Sequence, residues 1–380
     1  MFSGNEVPLM EQGLGKIVLF TPHVPKNASL YVNQVLSSRW IGQGPKVEEF
    51  ENNFRSSFCN NNMGVALGSG TDALHIAYIL ANISRGDEVA VPVFTCTATN
   101  IPLLYLGATP KFVDIDPLTM NVNIGHLEKV VNKKTKAIVV VHYGGLPCDM
   151  DEIGEIAKHY GIPIIEDAAH SLGATYKNKK IGTISEFTMF SFQAIKHITT
   201  GDGGFLTFQD KSIQDLAARL RWFGIDRKSK QKGIWENDIK EIGYKYQMTD
   251  ISASLGLAAL EEFESTLNHR QKLLQNYESK LSFNSKVQII SRTRPDRTHA
   301  AWLFTIAVDR RRELQQKLLA NGIESNQVHY RNDKYSIFSA EKFKLKNMDS
   351  LEEKYLCLPL HTNMNEQDVD RICNVINGGW

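Results

Sequence analysis

The sequence of 380 residues contains few cysteines and no long apolar run. Its five cysteines lie far apart, and no two have C-x-x-C spacing, so neither a zinc site nor a disulfide framework is indicated. No segment approaches the ~18–20 consecutive apolar residues of a membrane helix. The first fifteen residues carry Glu6 and Glu11 and lack the basic start and apolar stretch of a secretion signal. We therefore expect a cytoplasmic protein that holds no metal and does not contact a membrane.

An excess of one charge is also lacking. The 43 Lys and Arg residues against 42 Asp and Glu residues leave a net charge of +1. This balance excludes a strongly basic protein that binds nucleic acid, and it excludes an acidic disordered chain. The apolar fraction of 42% is typical of a globular protein, and the length is sufficient for two domains.

Between Met63 and Phe208, short apolar runs alternate with segments of helical periodicity. Asp149 followed by Glu152 predicts the cap of a helix that ends at Tyr160. Apolar strands that alternate with helices favour a mostly parallel sheet covered on both faces, which binds ligands at the carboxyl ends of its strands. The seven predicted strands are Val65–Leu67, Glu88–Phe94, Lys111–Ile115, Ala137–His142, Pro163–Glu166, Phe187–Phe192 and Gly204–Phe208.

The pattern changes after Phe208. A long helical pattern runs from about Thr249 to Lys280, and shorter strands and helices follow it. We therefore predict an α/β domain over residues 1–264 and a smaller α+β domain over residues 265–380. The predicted elements of the second part are strands at Val287–Ile290 and Ala301–Val308 and helices at Arg312–Leu319 and Glu366–Ile376.

Three segments of the first part carry residues suited to chemistry. The first is Gly68-Ser69-Gly70-Thr71-Asp72, which follows a predicted strand and opens a predicted helix. Glycines allow close approach of a ligand, and hydroxyls and free helix amides bind a phosphate. A capped helix after a tight turn explains the same residues, and neither a Walker A loop nor a G-x-G-x-x-G motif is present.

The second segment, Ile164 to His170, places Glu166 and Asp167 at the end of an apolar strand. A poorly solvated carboxylate needs a partner. The partner could be a metal, a histidine or a protonated heterocycle, and a simple turn cap is the equally plain alternative.

The third segment runs from Ser191 to His197 and precedes a glycine-rich turn. Lys196 emerges there from an apolar strand, and burial would lower its pKa toward the neutral amine that forms a Schiff base. The alternative is a lysine whose ammonium group reaches solvent. A phosphate site, a carboxylate at 167 and a lysine 29 residues later (196 − 167) together match the needs of pyridoxal 5'-phosphate.

With these motifs the chain resembles the sugar aminotransferase family of fold-type-I pyridoxal-phosphate enzymes, the DegT/DnrJ/EryC/StrS type. The resemblance covers most of the chain. It implies a large α/β domain with a mostly parallel seven-stranded sheet and a smaller α+β domain. The segments that carry it are Arg39–Pro45, Ser69–Leu74, Gly86–Val89, Phe112–Asp116, Glu166–His170 and Ser191–Gly204.

The resemblance implies a role for each matching residue. Lys196 would hold the coenzyme as a Schiff base and shuttle a proton, Asp167 would pair with the ring nitrogen, and His170 would lie beside the ring. The phosphate would be bound by Ser69, Gly70, Thr71 and Ser191.

Four further positions follow from the resemblance, and two of them depart from the common pattern. Cys96 occupies a place where an aromatic residue often stacks on the ring, so stacking there would be weaker or supplied elsewhere. Lys245 replaces an Asn that often reaches the phosphate of the neighbouring subunit's coenzyme, or it is a plain exposed lysine. His329 and Tyr330 resemble a segment that approaches the sugar nucleotide, although a His beside a Tyr is often only structural.

The resemblance implies an aminotransferase that moves an amino group from glutamate to C3 or C4 of a nucleotide-diphospho keto-deoxysugar. Such enzymes serve amino-sugar and polysaccharide biosynthesis as homodimers with shared active sites. One alternative is a sugar dehydratase of the same fold, in which His typically replaces the Schiff-base lysine. This chain has Lys196 at that position and His197 beside it. A second alternative is a non-catalytic regulator that kept the fold and the phosphate pocket.

Overall fold

The computed structural model describes residues 15–236, 238–338 and 344–380. The helices are α1 (Ala28–Leu36), α2 (Pro45–Phe58), α3 (Gly70–Leu80), α4 (Thr97–Tyr105), α5 (Ile124–Val130), α6 (Met150–Tyr160), α7 (Gln214–Leu220), α8 (Arg227–Gln231), α9 (Asp250–Leu281), α10 (Arg311–Ala320), α11 (Lys346–Leu351) and α12 (Glu366–Asn377). The strands are β1 (Met63–Leu67), β2 (Glu88–Pro92), β3 (Phe94–Thr95), β4 (Thr109–Val113), β5 (Thr135–Val141), β6 (Ile164–Asp167), β7 (Thr175–Tyr176), β8 (Lys179–Lys180), β9 (Phe187–Ser191), β10 (Gly204–Phe208), β11 (Val287–Ile290), β12 (Phe304–Val308), β13 (Tyr330–Arg331) and β14 (Tyr355–Leu358).

A seven-stranded sheet forms the centre of the α/β part, in the order β1-β10-β9-β6-β5-β2-β4. The pairs from β9 to β4 are parallel, whereas β10 is antiparallel to both of its neighbours. The prediction of a mostly parallel seven-stranded sheet in an α/β fold is therefore confirmed. Because β10 runs the opposite way, its amino end lies beside the carboxyl ends of β1 and β9, where Gly204 pairs with Leu67 and Ser191.

Successive residues of these strands bury their side chains on opposite faces of the sheet. Val89 and Val91 belong to one hydrophobic cluster, whereas Ala90 belongs to a second cluster on the other face. This is why the strands are apolar throughout instead of alternating with polar residues. Helices cover both faces, and the loops at the carboxyl edge are left to form a site.

The predicted helix that begins after Asp149 is present as α6, and Asp149 is its N-cap residue, but the expected capping hydrogen bond is absent. The Asp149 side chain accepts from Arg297 at 2.7 Å and from Arg294 at 3.2 Å instead. Two guanidinium groups from a distant part of the chain offer the carboxylate charged donors, which are stronger than a backbone amide.

The C-terminal part contains a three-stranded antiparallel sheet in the order β11-β12-β14. It shares a separate hydrophobic cluster with α10, α12 and the second half of α9. The predicted strand at Ala301–Val308 is shorter, since β12 begins at Phe304. The predicted boundary between residues 264 and 265 falls inside α9, and the division into domains there stays a prediction. Among the helices of the described residues, none combines the length and apolar character needed to cross a membrane.

Candidate active site

Asp167 is the last residue of β6 and is almost fully buried. Its Oδ2 accepts a hydrogen bond from Thr99 Oγ1 at 2.7 Å, and its Oδ1 accepts from the backbone N–H of Ala169 at 3.1 Å. Burial raises the pKa of Asp167, while these two donors and the charge of Lys196 lower it. Two hydrogen-bond donors therefore stabilise one buried carboxylate, which lies within range of any charge on Lys196.

Glu166 points away from Asp167, as consecutive strand residues must. It lies in the interior, where it pairs with His142 Nε2 at 2.8 Å and accepts from Ser185 N–H and Thr188 Oγ1, each at 3.1 Å. These bonds join β6 to β9 and to the residue after β5. Of the two acids that the sequence places at this strand end, only Asp167 faces Lys196.

Lys196 lies in the loop between β9 and β10, at the same edge of the sheet. Burial lowers its pKa to about 7, although the charges of Asp167 and Cys96 act in the opposite direction. A lysine amine with this pKa is substantially neutral at physiological pH and can act as a nucleophile or a base. Nζ lies 3.5 Å from the centre of the Trp302 ring.

Three parallel rings adjoin this amine. His170 stacks on Trp302 with centroids 3.7 Å apart, and His329 lies parallel to His170 at 5.3 Å. Burial lowers the pKa of His170 well below the usual value and that of His329 to about 3, so both imidazoles are neutral. Their Nε2 atoms are 3.4 Å apart, and His170 Nδ1 is buried without a hydrogen-bond partner among the described residues. Such an orphaned nitrogen is suited to bind a polar group of a ligand.

The Ser69–Thr71 turn joins β1 to α3 at the same edge of the sheet as Asp167 and Lys196. Ser69 Oγ accepts from the Asp72 N–H at 3.0 Å and so caps α3, as the capped-helix interpretation predicts. Gly70 lies against β9, since a Cβ on Gly70 would meet Ser191 Oγ at 3.4 Å. A Cβ on Gly204 would collide with the Ser69 carbonyl and lie 2.7 Å from Gly70 N. The cap and the phosphate cradle are compatible, because capping uses one amide and leaves the others of the first turn free.

The remaining predicted residues lie further from this centre. Cys96 is exposed at the N-cap of α4, near enough to Lys196 for a charge on its sulfur to affect the lysine. Tyr330 is 51% exposed and pairs with Thr95 where β13 meets β3. Lys245 is exposed, with Nζ 5.3 Å from the centre of the Phe223 ring, and the structure does not bring it into contact with the residues around Lys196.

Two residues of this site have no signal in the sequence analysis. Thr99 is the third residue of α4, and Trp302 lies just before β12, more than 100 residues after Lys196. Neither belongs to a motif, and only the folded chain places them against Asp167 and Lys196. Within the described ranges, no cluster of three or more His, Cys, Asp or Glu side chains is arranged for a metal ion.

Comparison with known proteins agrees with this geometry. A sequence model of the DegT/DnrJ/EryC1/StrS aminotransferase family matches residues 23–377. The chain belongs to this family. The GDP-perosamine synthase of Escherichia coli O157:H7 is 34% identical over 367 residues, covering 95% of this chain and 98% of that protein.

Solved structures are similar over almost the whole chain. The sugar aminotransferase CalS13 from Micromonospora echinospora is 30% identical with a TM-score of 0.90, covering 95% of this chain and 99% of that one. Spr1654 from Streptococcus pneumoniae, assigned as a sugar aminotransferase and solved in a PLP form, is 29% identical with a TM-score of 0.88, covering 96% of this chain and 98% of that one. The protein is a pyridoxal-phosphate-dependent aminotransferase of the sugar aminotransferase family, with the type I fold.

The residues present fit this coenzyme. A carboxylate with a raised pKa suits a protonated ring nitrogen, and an amine with a pKa of about 7 suits an aldehyde. The orphaned His170 Nδ1 suits a polar ring substituent. The Gly70 turn, the amides of α3 and the Ser191 hydroxyl suit a phosphate.

We expect Thr99→Val to raise the pKa of Asp167 and to destabilise the coenzyme-free protein near neutral pH. Loss of a donor to a buried carboxylate costs about 1–3 kcal/mol. Because burial holds the folded-state pKa of Asp167 above its unfolded value, the ionised carboxyl opposes folding, and this opposition fades as the pH falls through the folded pKa. The loss in free energy of unfolding, measured with urea at several pH values, should therefore shrink in acid.

Thr99→Ser is the matched control, since it keeps the hydroxyl and should behave like the parent protein. A Thr99→Val penalty of equal size at every pH would show that the hydroxyl does not act on the charge of Asp167.

Proposed function

We propose that this aminotransferase takes its amino group from glutamate and delivers it to the C3 or C4 carbonyl of a nucleotide-diphospho keto-deoxysugar, for amino-sugar and polysaccharide biosynthesis. The observation that carries the proposal is the Lys196 amine, with a pKa of about 7, beside the buried Asp167. The similarity to a GDP-perosamine synthase supports a nucleotide-linked sugar as the acceptor.

In this proposal each residue has a defined task. When bound, pyridoxal phosphate supplies an electron sink that lowers the cost of removing a proton from the carbon that bears nitrogen. Lys196 Nζ takes that proton and returns it, which its pKa allows near neutral pH. Asp167 would hold the ring nitrogen in its protonated form, and the neutral His170 would orient the ring.

Binding is divided between the two ends of the ligand. Ser69, Gly70, Thr71 and Ser191 hold the coenzyme phosphate, because they adjoin the free amides of the first turn of α3. His329 and Tyr330 border the side on which the sugar nucleotide enters, since His329 lies against His170 and Tyr330 is exposed. Cys96 is exposed and a charge on its sulfur would act on the amine, at the position where the family resemblance implies a residue that stacks on the ring.

The dehydratase alternative receives no support from the neighbouring histidine. His197 is buried, and its Nε2 lies 2.6 Å from the carbonyl oxygen of Ala300. Burial lowers the pKa of His197 to about 3. The His197 side chain is therefore hydrogen-bonded to the backbone, whereas Lys196 lies with Asp167 and Trp302 in the candidate site.

We also propose a homodimer whose active sites are shared. One segment of the chain exposes several large apolar side chains, which is unusual for a surface that stays in water. Lys245 follows this segment and is itself exposed, which supports the proposal that it reaches a coenzyme phosphate of the partner subunit. The exposed side chains are Phe223, Trp235, Ile239 and Ile242, at 45%, 73%, 50% and 83%.

We expect Lys196→Ala to abolish covalent capture of the coenzyme and to lower the transamination rate by at least ~10²–10⁴-fold, the range that a positioned proton-transfer group supplies. Borohydride reduction followed by peptide mass spectrometry should locate the coenzyme on Lys196 in the parent protein. The rate is measured as 2-oxoglutarate formed from glutamate with a panel of nucleotide-diphospho 3-keto and 4-keto deoxysugars.

Lys158→Ala is the control, because Lys158 is exposed on α6, and it should leave capture and rate unchanged. Full activity of Lys196→Ala, or no 2-oxoglutarate with any member of the panel, would contradict the proposed function.

Mixing two inactive variants tests the shared site. Lys196→Ala subunits retain Lys245, and Lys245→Ala subunits retain Lys196, so a mixed dimer contains one complete site only if Lys245 acts across the interface. Refolding equal amounts together should then restore about a quarter of the parent activity, because half of the dimers are mixed and each has one good site. No recovery beyond the separate variants would place Lys245 outside the partner's site.

A further inference from the structure

Trp302 lies directly against the amine of Lys196. It is 2% exposed, and Lys196 Nζ is 3.5 Å from the centre of its ring. At that distance the nitrogen must lie above the ring face, because an approach within the ring plane would overlap ring atoms. An ammonium group over an indole face is the geometry of a cation–π interaction, for which Trp is the best partner.

The indole is held in place on both sides. Its Nε1–H donates to the carbonyl oxygen of Ile195 at 3.2 Å, which joins the ring to the residue before Lys196. His170 stacks at 3.7 Å with an interplanar angle of 15°. Two groups this close to the ring centre cannot share one face, so His170 covers one face and Nζ the other. The ring cannot turn away from the amine without breaking both contacts.

Few other groups stabilise a positive charge on this nitrogen. No ion pair among the described residues includes Lys196, and Asp167 is already engaged by Thr99 and Ala169. Other charged or titratable groups also act on Lys196 or respond to its charge. They are Cys96 at the N-cap of α4, Arg270 on α9, His170 after β6, His329 before β13, and the neighbouring His197. Arg270 disfavours the ammonium, and burial keeps the three histidines neutral.

We propose that Trp302 is a positioning residue whose indole face holds the Lys196 ammonium whenever the amine is not bonded to the coenzyme. This proposal rests on the proposed function, but the contact itself is made by two residues of the chain. Two effects then oppose each other. Burial favours the neutral amine, whereas the indole favours the ammonium, and a lysine that gives and takes a proton needs both forms.

The test measures the pKa of the Lys196 amine in the full-length protein stripped of coenzyme. Competitive acylation over a range of pH, read by mass spectrometry of the Lys196 peptide, gives the fraction of neutral amine. We expect Trp302→Leu to lower the pKa of Lys196 by about one pH unit, since a desolvated cation–π contact is lost. Trp302→Phe keeps an aromatic face and should lower it by less.

Trp380→Leu is the matched control, because Trp380 contacts Asp309 and Arg310 at the end of the chain. It should leave the pKa of Lys196 unchanged. A Trp302→Leu protein whose Lys196 titrates as in the parent, or at higher pH, would overturn the proposal.

Fluorinated tryptophans test the same contact without changing the shape of the core, in case Trp302→Leu does not fold. Each added fluorine withdraws electron density from the ring face, so the pKa of Lys196 should fall stepwise with the number of fluorines. The chain has five tryptophans, so Trp302→Phe labelled in the same way is the control and should show no such steps. Absence of steps in the otherwise unchanged protein would overturn the proposal.

These outcomes are separate from those of the proposed function. If borohydride fixes no coenzyme on Lys196, the function fails while the titration of the stripped protein still reports on Trp302. If borohydride fixes the coenzyme on Lys196 but the pKa of Lys196 is the same in the parent and in Trp302→Leu, only the proposed role of Trp302 fails.

Discussion

A buried carboxylate and a partly buried amine at one edge of a sheet impose the main physical constraint on this protein. Removal from water penalises the charged form of each, so burial raises the pKa of Asp167 and lowers that of Lys196. Their mutual attraction offsets part of that cost. Hydrogen bonds from Thr99 and Ala169 further stabilise the carboxylate, and the face of the Trp302 ring stabilises the ammonium form of the amine. Both groups therefore remain close to the protonation states that coenzyme chemistry needs.

The topology of the sheet explains how these groups meet. β6 and β9 are parallel neighbours, so the residues after their carboxyl ends emerge at one edge. β10 returns antiparallel and brings Gly204 beside the Ser69–Gly70 turn, where a side chain would collide with that turn. The Ser69–Gly70 turn, the Asp167 carboxylate and the Lys196 amine thus share an edge although they come from separate parts of the chain. Glu166 strengthens the arrangement from within, since its bonds join β6 to β9.

Much of this architecture could be predicted from the residues. The seven predicted apolar runs correspond to the seven strands of the sheet. They could be recognised because a strand that is covered on both faces is apolar at nearly every position. The motifs around Gly70, Asp167 and Lys196 identified the family. The N-cap position of Asp149 was predicted correctly, but its capping hydrogen bond was not, because the competing arginines lie almost 150 residues away. The roles of Thr99 and Trp302 could not be predicted for the same reason, because each depends on a contact between residues far apart in the sequence and on no local pattern. The tasks of all the predicted site residues, including Lys196 and Asp167, stay predictions.

The protonation state of the coenzyme's ring nitrogen shows whether the Asp167 carboxylate stabilises a positive charge in this site. It can be read by ¹⁵N NMR of the protein loaded with ¹⁵N-labelled pyridoxal phosphate, in the parent and in Asp167→Asn. We expect a ring nitrogen that is protonated at neutral pH in the parent and deprotonated in Asp167→Asn, because the carboxylate is the group that stabilises the positive charge. A deprotonated nitrogen in the parent, or a protonated one in both proteins, would contradict this expectation.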